Sequence, residues 1–405
     1  MAKIRPFRAL RPEPSLAAQI AAVPYDVVNT EEARALAAGN ELSFLHVSRA
    51  EIDLQADTNA YADIVYRTAA ERFSRIRAHM VEESEPALYF YKLRMGTHEQ
   101  TGLAACYSVD EYDTDLVKKH EKTRRDKEDD RTRHITELRA QTGPVFLTYH
   151  ASAAVDAVAV KVAKTAPLYN LVAPDGITHT IWKVTGDDLT AVVDAFGALP
   201  ALYIADGHHR AASAARSRKA VAREAGKDGA VEADWFLAVA FPDSQTQVLP
   251  YNRTVKDLAG LTPEAFMEAV KATFAVRDGG PAAPAKKGDC AMFLGGQWYT
   301  LNIGAKAGAD VISQLDVSIL QNHLLAPILK IADVRTDKRI DFVGGIRGTA
   351  ELEKLVNSGK AAVAFSMFPV SVGDLMGIAD AGEIMPPKST WFEPKLRDAL
   401  LIHTI

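Results

Sequence analysis

Cysteine is almost missing: Cys106 and Cys290 are the only two in 405 residues, and they form no Cys-x-x-Cys pair. That excludes a disulfide framework and a cysteine-built zinc site. Long apolar runs are missing too, and none approaches the roughly 20 residues that cross a bilayer. Neither sign of charge dominates. The formal net charge is −5, so no global basic field points to nucleic acid. The stretch from Met1 to Pro14 carries Lys3, Arg5, Arg8 and Arg11 without an apolar segment, unlike a secretory signal. The expectation is a cytoplasmic protein with no membrane partner. There is no Walker A loop, no GxGxxG and no kinase His-Arg-Asp or Asp-Phe-Gly set. Gly344 to Gly348 matches a dinucleotide loop too poorly to count.

What is present is an ordinary globular composition, 48% hydrophobic and 24% charged. The length suits two or three domains. Asn29 or Thr30 can cap a helix through Leu36 that Gly39 stops. Leu42 to Ser48 reads as a strand, and Tyr61 to His79 as a helix. Ala87 to Leu93 reads as a strand, with Thr101 to Val109 as its antiparallel partner. Val117 to Arg139 reads as a charged helix. Strands are expected at 144–149, 176–184, 201–205, 236–241, 247–249, 291–294 and 361–368. Helices are expected at 155–164, 208–224, 315–329 and 371–381. This alternation predicts an α/β or α+β fold with mixed sheets.

The most informative stretch is Asp206-Gly207-His208-His209-Arg210. It follows an apolar strand and opens an alanine-rich helix. A glycine turn at a helix start brings backbone N–H groups and the positive helix end to one point, where an anion such as phosphate is favoured. Gly207 lets the backbone approach closely. Arg210 can take phosphate in a forked geometry. Asp206 can hold a divalent cation or orient a histidine. The plainer alternative is a helix start with His208 exposed and Asp206 in a local turn. A metal dyad of His208 and His209 is disfavoured, since helix neighbours point roughly 100° apart.

His120-Glu121 lies in a run where 13 of the 16 residues from Lys118 to Arg133 are charged. Most of that run reads as a solvated helix face. No histidine follows Glu121 at HExxH spacing. Glu121 can act as a general base if it faces a partly desolvated pocket. Lys127, Asp130 and Arg131 are secondary candidates. Pro386-Pro387-Lys388-Ser389-Thr390 fixes a loop that presents a cation and two hydroxyls. It reads equally as a closing loop or as a rigid one anchored by Trp391 and Phe392. Asp175 to Thr180 and Asn252 to Thr254 read as turns at strand edges.

Three of these segments, in order, resemble the SerK-like free serine kinases, which have a ParB/sulfiredoxin-type fold. They are His120-Glu121, Asp206 to Arg210, and Pro387-Lys388-Ser389-Thr390. The resemblance to a long bacterial branch, formerly catalogued as a domain of unknown function, covers essentially the whole chain. That branch also matches Lys127, Asp130 and Arg131. The first hundred residues have no counterpart in the compact archaeal kinases. Under this resemblance, residues 1–105 form an N-terminal α/β region and 106–260 a ParB/sulfiredoxin-like catalytic core. Residues 261–405 form a C-terminal α/β region that closes the site.

The resemblance implies a kinase that phosphorylates free L-serine from ATP, ADP or pyrophosphate, with Mg²⁺. Glu121 would be the base, with His120 and Asp206 as further catalytic residues and Asp206 positioning Mg²⁺. Gly207, His208, His209 and Arg210 would hold the donor phosphates, joined by Lys127 and Arg131. Lys388, Ser389 and Thr390 would bind the substrate. A homo-oligomer is compatible with the sequence. The competing readings are a ParB-like nucleotide-binding or DNA-associated regulator and a phosphohydrolase acting on phosphoserine.

Overall fold

The computed structural model describes residues 2–225, 231–304 and 310–405. They fall into two units, Met1–Thr246 with Pro394–Ile405, and Gln247–Glu393. The fold is mixed α/β, as the alternation predicts. No helix among the described residues is long and apolar enough to cross a membrane.

The first unit is built on a nine-stranded mixed sheet. Its strands are β1 (Ile4–Arg5), β2 (Leu88–Met95), β3 (His98–Ser108), β4 (Val117–Lys118) and β5 (Val145–Tyr149). They continue with β6 (Tyr169–Val172), β7 (Thr178–Val184), β8 (Leu202–Asp206) and β9 (Trp235–Pro242). The spatial order is β4-β8-β5-β9-β3-β2-β7-β6, with β1 on β3. Two pairs, β4–β8 and β5–β9, are parallel. β5, β8 and β9 are apolar almost throughout, because both faces of the central sheet are covered. One face packs Leu103, Leu147, Ile204, Phe196 and Phe236 into a single core. Each such side chain contributes about 1.5–3 kcal/mol by leaving water.

Two helices flank the site: α1 (Arg125–Leu138) and α2 (His208–Ala225). They are tied by Ser213 Oγ donating to the Glu128 carbonyl at 3.1 Å, and by Arg216 pairing with Glu128 and Asp129. The charged run is therefore not one helix from Val117. Val117 is fully buried in the sheet, opposite Leu202, and the helix begins only at Arg125. Leu42 to Ser48 also departs from expectation, being helical over Leu45–Ser48. A short buried apolar run carries no period that separates strand from helix. The helix at Thr30–Ala37 has the expected cap, with Asn29 and Glu32 forming a reciprocal box.

A four-stranded sheet joins Ala9–Pro12, Met80–Glu82, Ala140–Gln141 and Ile402–Thr404. It pairs His403 with both Ala9 and Gln141, which places the chain's end in the first unit. The first unit runs unbroken through the expected boundary at 105, where β3 pairs with β9, and the second unit begins at Gln247.

The second unit carries a six-stranded sheet, with Phe293, Val343, Leu352 and Ala364 in its core. Its strand Tyr251–Val255 is buried at every residue. Asn252, Arg253 and Thr254 are thus mid-strand residues rather than an edge turn. Tertiary pairing on both sides of that strand buries its polar side chains.

Candidate active site

Strand β8 ends at Asp206, Gly207 turns the chain at φ +91°, and α2 begins at His208. Only glycine adopts that φ readily. The register sets Lys118 opposite Tyr203, so the residues that follow Lys118 run beside the turn. His120 and His208 meet edge to face, ring centroids 4.4 Å apart at 89°. The His120 backbone N–H points at His208 Nε2 from 3.5 Å, and the Arg124 N–H donates to His209 Nε2 at 3.0 Å. Donor atoms of His120, Glu121 and His208 all lie within 4.8 Å of one another. The expected base and the expected anion turn are thus neighbours. His208 is buried, not exposed as the plainer alternative required.

Burial pushes His120 down to about 4, against opposing pulls from the Ile204 backbone and Asp206. Neither ring nitrogen meets full hydrogen-bond geometry, although the Ile204 backbone draws on one of them. Burial, with the neighbouring His120, also holds His208 well below the ordinary histidine range. His209 is lowered by burial as well. All three imidazoles are neutral near pH 7.

Asp206 and Arg210 are arranged differently from expectation. Asp206 Oδ2 accepts from Arg210 Nη2 at 3.2 Å and from Lys395 Nζ at 3.3 Å. Burial alone would raise this carboxyl, but Lys395 and Arg210 outweigh it and hold it low. Its Oδ2 is thus engaged by two cations, where the expectation has Asp206 positioning Mg²⁺. Arg210 is buried, and its Nη1 donates to the Pro144 carbonyl. It braces the turn from behind rather than presenting an open fork.

Behind Arg210 lies a cavity of about 40 Å³ whose lining includes Tyr25, Arg131, Gly143 and Asp398. Arg131 pairs with Asp130 at 2.8 Å and stacks over Tyr25, 4.1 Å from the ring centre. Burial pushes the Asp398 carboxyl up to about 7, with Asp26 adding to it and Arg210 opposing. Lys127 donates to the Tyr61 hydroxyl at 2.8 Å. Lys395, Asp398, Tyr25 and Asp26 were not visible as site residues in the sequence. The first two lie in a C-terminal segment without any local signature, and the other two look like an ordinary Pro-Tyr-Asp loop.

Lys388, Ser389 and Thr390 belong to the second unit. Ser389 is buried, and its Oγ donates to the Pro386 carbonyl at 2.6 Å. Arg253 Nη2 donates to the Lys388 carbonyl at 3.1 Å, and Lys388 itself takes φ +58°. The Tyr251 and Trp391 rings pack edge to face at 5.1 Å. The loop is therefore internally fixed, with its lysine at the surface.

These features define a mixed α/β protein with a neutral imidazole and carboxylate cluster beside a glycine turn at a helix start. Residues 4–318 match the family described as protein of unknown function (DUF1015), and the chain belongs to that family. No curated protein matches it. Solved structures similar to it include a free serine kinase variant in complex with AMP. That likeness has 14% identity and a TM-score of 0.36, covering 73% of this chain and 92% of that one. A conserved hypothetical protein from Pyrococcus furiosus gives 16% identity and a TM-score of 0.36, with 74% and 94% covered. SbnI with a C-terminal truncation, from Staphylococcus aureus, gives 11% and 0.35, with 73% and 87% covered. At these scores the likenesses do not decide activity.

Proposed function

We propose that this protein is a phosphotransferase acting on free L-serine, with ATP, ADP or pyrophosphate as donor and O-phospho-L-serine as product. The observation that carries this reading is the placement of Glu121 beside His208 at the start of α2. An acceptor hydroxyl needs a base within reach, and a departing phosphate needs fixed positive partial charge. Here the two come from separate segments that the β4–β8 register brings together.

The serine Oγ–P bond forms as the bond from phosphorus to the leaving oxygen breaks. The serine proton passes to Glu121. ADP, AMP or phosphate departs, according to the donor. Backbone N–H groups after Gly207 hold the donor phosphates, and His208 and His209 lie at the same helix end. Arg210, held by Pro144 and Asp206, keeps the turn in shape. Lys127 and Arg131 supply positive charge nearby; Lys388, Ser389 and Thr390 are proposed as substrate-binding residues on their motif alone.

The test incubates the folded protein with serine, Mg²⁺ and each donor, and reads phosphoserine. Product with one donor supports the reading, and Glu121→Gln should then remove most turnover while donor binding persists. No product with any donor overturns it. Nucleotide binding without product would favour a regulatory binder, and release of phosphate from phosphoserine in water would favour a hydrolase.

A further inference from the structure

The geometry points to a metal site that the serine kinase reading does not require: His120, Glu121 and His208 bind one divalent transition-metal ion. Each offers one donor atom, and the three atoms lie within 4.8 Å of one another. A tetrahedral ion with bonds of about 2.0–2.1 Å sets its ligands about 3.3 Å apart. Small side-chain rotations close that difference.

His120 gives the independent observation. His120 is 2% exposed, and neither ring nitrogen meets full hydrogen-bond geometry: the Ile204 backbone draws on one and leaves the other an orphan. Buried polar atoms are rarely left so, and an orphan calls for an explanation such as an absent ion. His208 is 5% exposed and stands edge to face with that ring. Its Nε2 lone pair faces the His120 backbone N–H at 3.5 Å, a contact that an ion bound there would replace.

The donor set decides the ion class. Two imidazoles and one carboxylate suit zinc, cobalt, manganese or iron, whereas magnesium and calcium prefer oxygen throughout. Three protein ligands leave coordination positions for water or a substrate oxygen, the pattern of catalytic rather than structural sites. Asp206 lies outside this cluster, with its Oδ2 shared by Arg210 and Lys395. A carboxylate that binds through one oxygen keeps the other for a proton, so Glu121 can serve both as ligand and as base.

The experiment titrates metal-stripped full-length protein with Co²⁺, read by its visible absorption, and with Zn²⁺, read by calorimetry. No serine or phosphoryl donor is present, so the outcome is separate from that of the kinase assay. One ion per chain with micromolar or tighter affinity is expected, and excess Mg²⁺ should not displace it. His120→Ala and His208→Ala should each weaken binding by at least about a hundredfold, since loss of an outer-shell partner alone costs about 10–100-fold. His150→Ala, at an exposed position paired with Asp243, should leave it unchanged. Should either alanine variant fail to fold, the wild-type Co²⁺ spectrum decides. Absence of stoichiometric binding, a spectrum without nitrogen ligation, or binding that survives loss of both histidines overturns the site.

Discussion

The Arg210 guanidinium lies over the α-carbon of Gly207, so closely that a β-carbon there would come within 2.9 Å of Arg210 Cζ. Gly207 also has φ +91°. Gly207→Ala therefore meets two penalties, a left-handed backbone and a displaced arginine. The backbone alone costs about 1–3 kcal/mol. Gly176→Ala is the control, with φ +79° and nothing within 4 Å of its β-carbon. Urea unfolding should show a larger loss for Gly207→Ala than for Gly176→Ala. Equal losses would remove the Arg210 contact from the account.

Asp206 holds two cations with one oxygen, and Asp206→Asn removes the negative charge that Arg210 and Lys395 share. Losing hydrogen bonds to charged groups costs about 1.5–3 kcal/mol. Because its folded carboxyl is held low, Asp206 contributes stability above the unfolded value of about 3.9. That contribution is lost as pH falls through the folded value. The wild-type advantage over Asp206→Asn should be full at neutral pH and shrink in acid. A gap that is constant with pH would mean the charge is not what matters.

Asp398 carries the opposite sign. Its folded carboxyl is raised to about 7, so its favourable contribution is complete below the unfolded value and is lost as pH rises towards 7. The carboxylate lies against Gly143, where a β-carbon would come 2.5 Å from Oδ1. Arg210, Arg131 and Arg397 oppose the shift, and Asp26 adds to it. Asp398→Asn should therefore gain on wild type between acidic and neutral pH, read as the difference in urea midpoint. A difference that does not vary over that range would show Asp398 to be ionised throughout.

The turn itself was legible in the sequence, because a strand, a glycine and a helix follow one another within a few residues. The nearness of His120 and Glu121 to it was suggested only by motif order. The register that produces it, Lys118 opposite Tyr203, depends on a parallel pairing that no local period reveals. Lys395 reaches Asp206 across 189 residues of sequence, and nothing near Lys395 marks it. Sequence alone suggests an open phosphate fork at Arg210, because it does not show the Pro144 carbonyl that takes its Nη1. The alanine-rich helix and the paired strands Leu88–Met95 and His98–Ser108 were legible because apolar runs of that length and spacing have few alternatives.

Arg210→Lys separates bracing from direct phosphate binding. A lysine ammonium cannot hold the Pro144 carbonyl and Asp206 together in the planar geometry that the guanidinium uses. Loss of one such contact costs about 1.5–3 kcal/mol. If Arg210 braces the turn, stability and turnover should fall together, while the donor KM moves little. If it grips the donor directly, the donor KM should rise steeply with the unfolding midpoint nearly unchanged. The first pattern is expected, because Arg210 is buried and its two Nη groups already have protein partners.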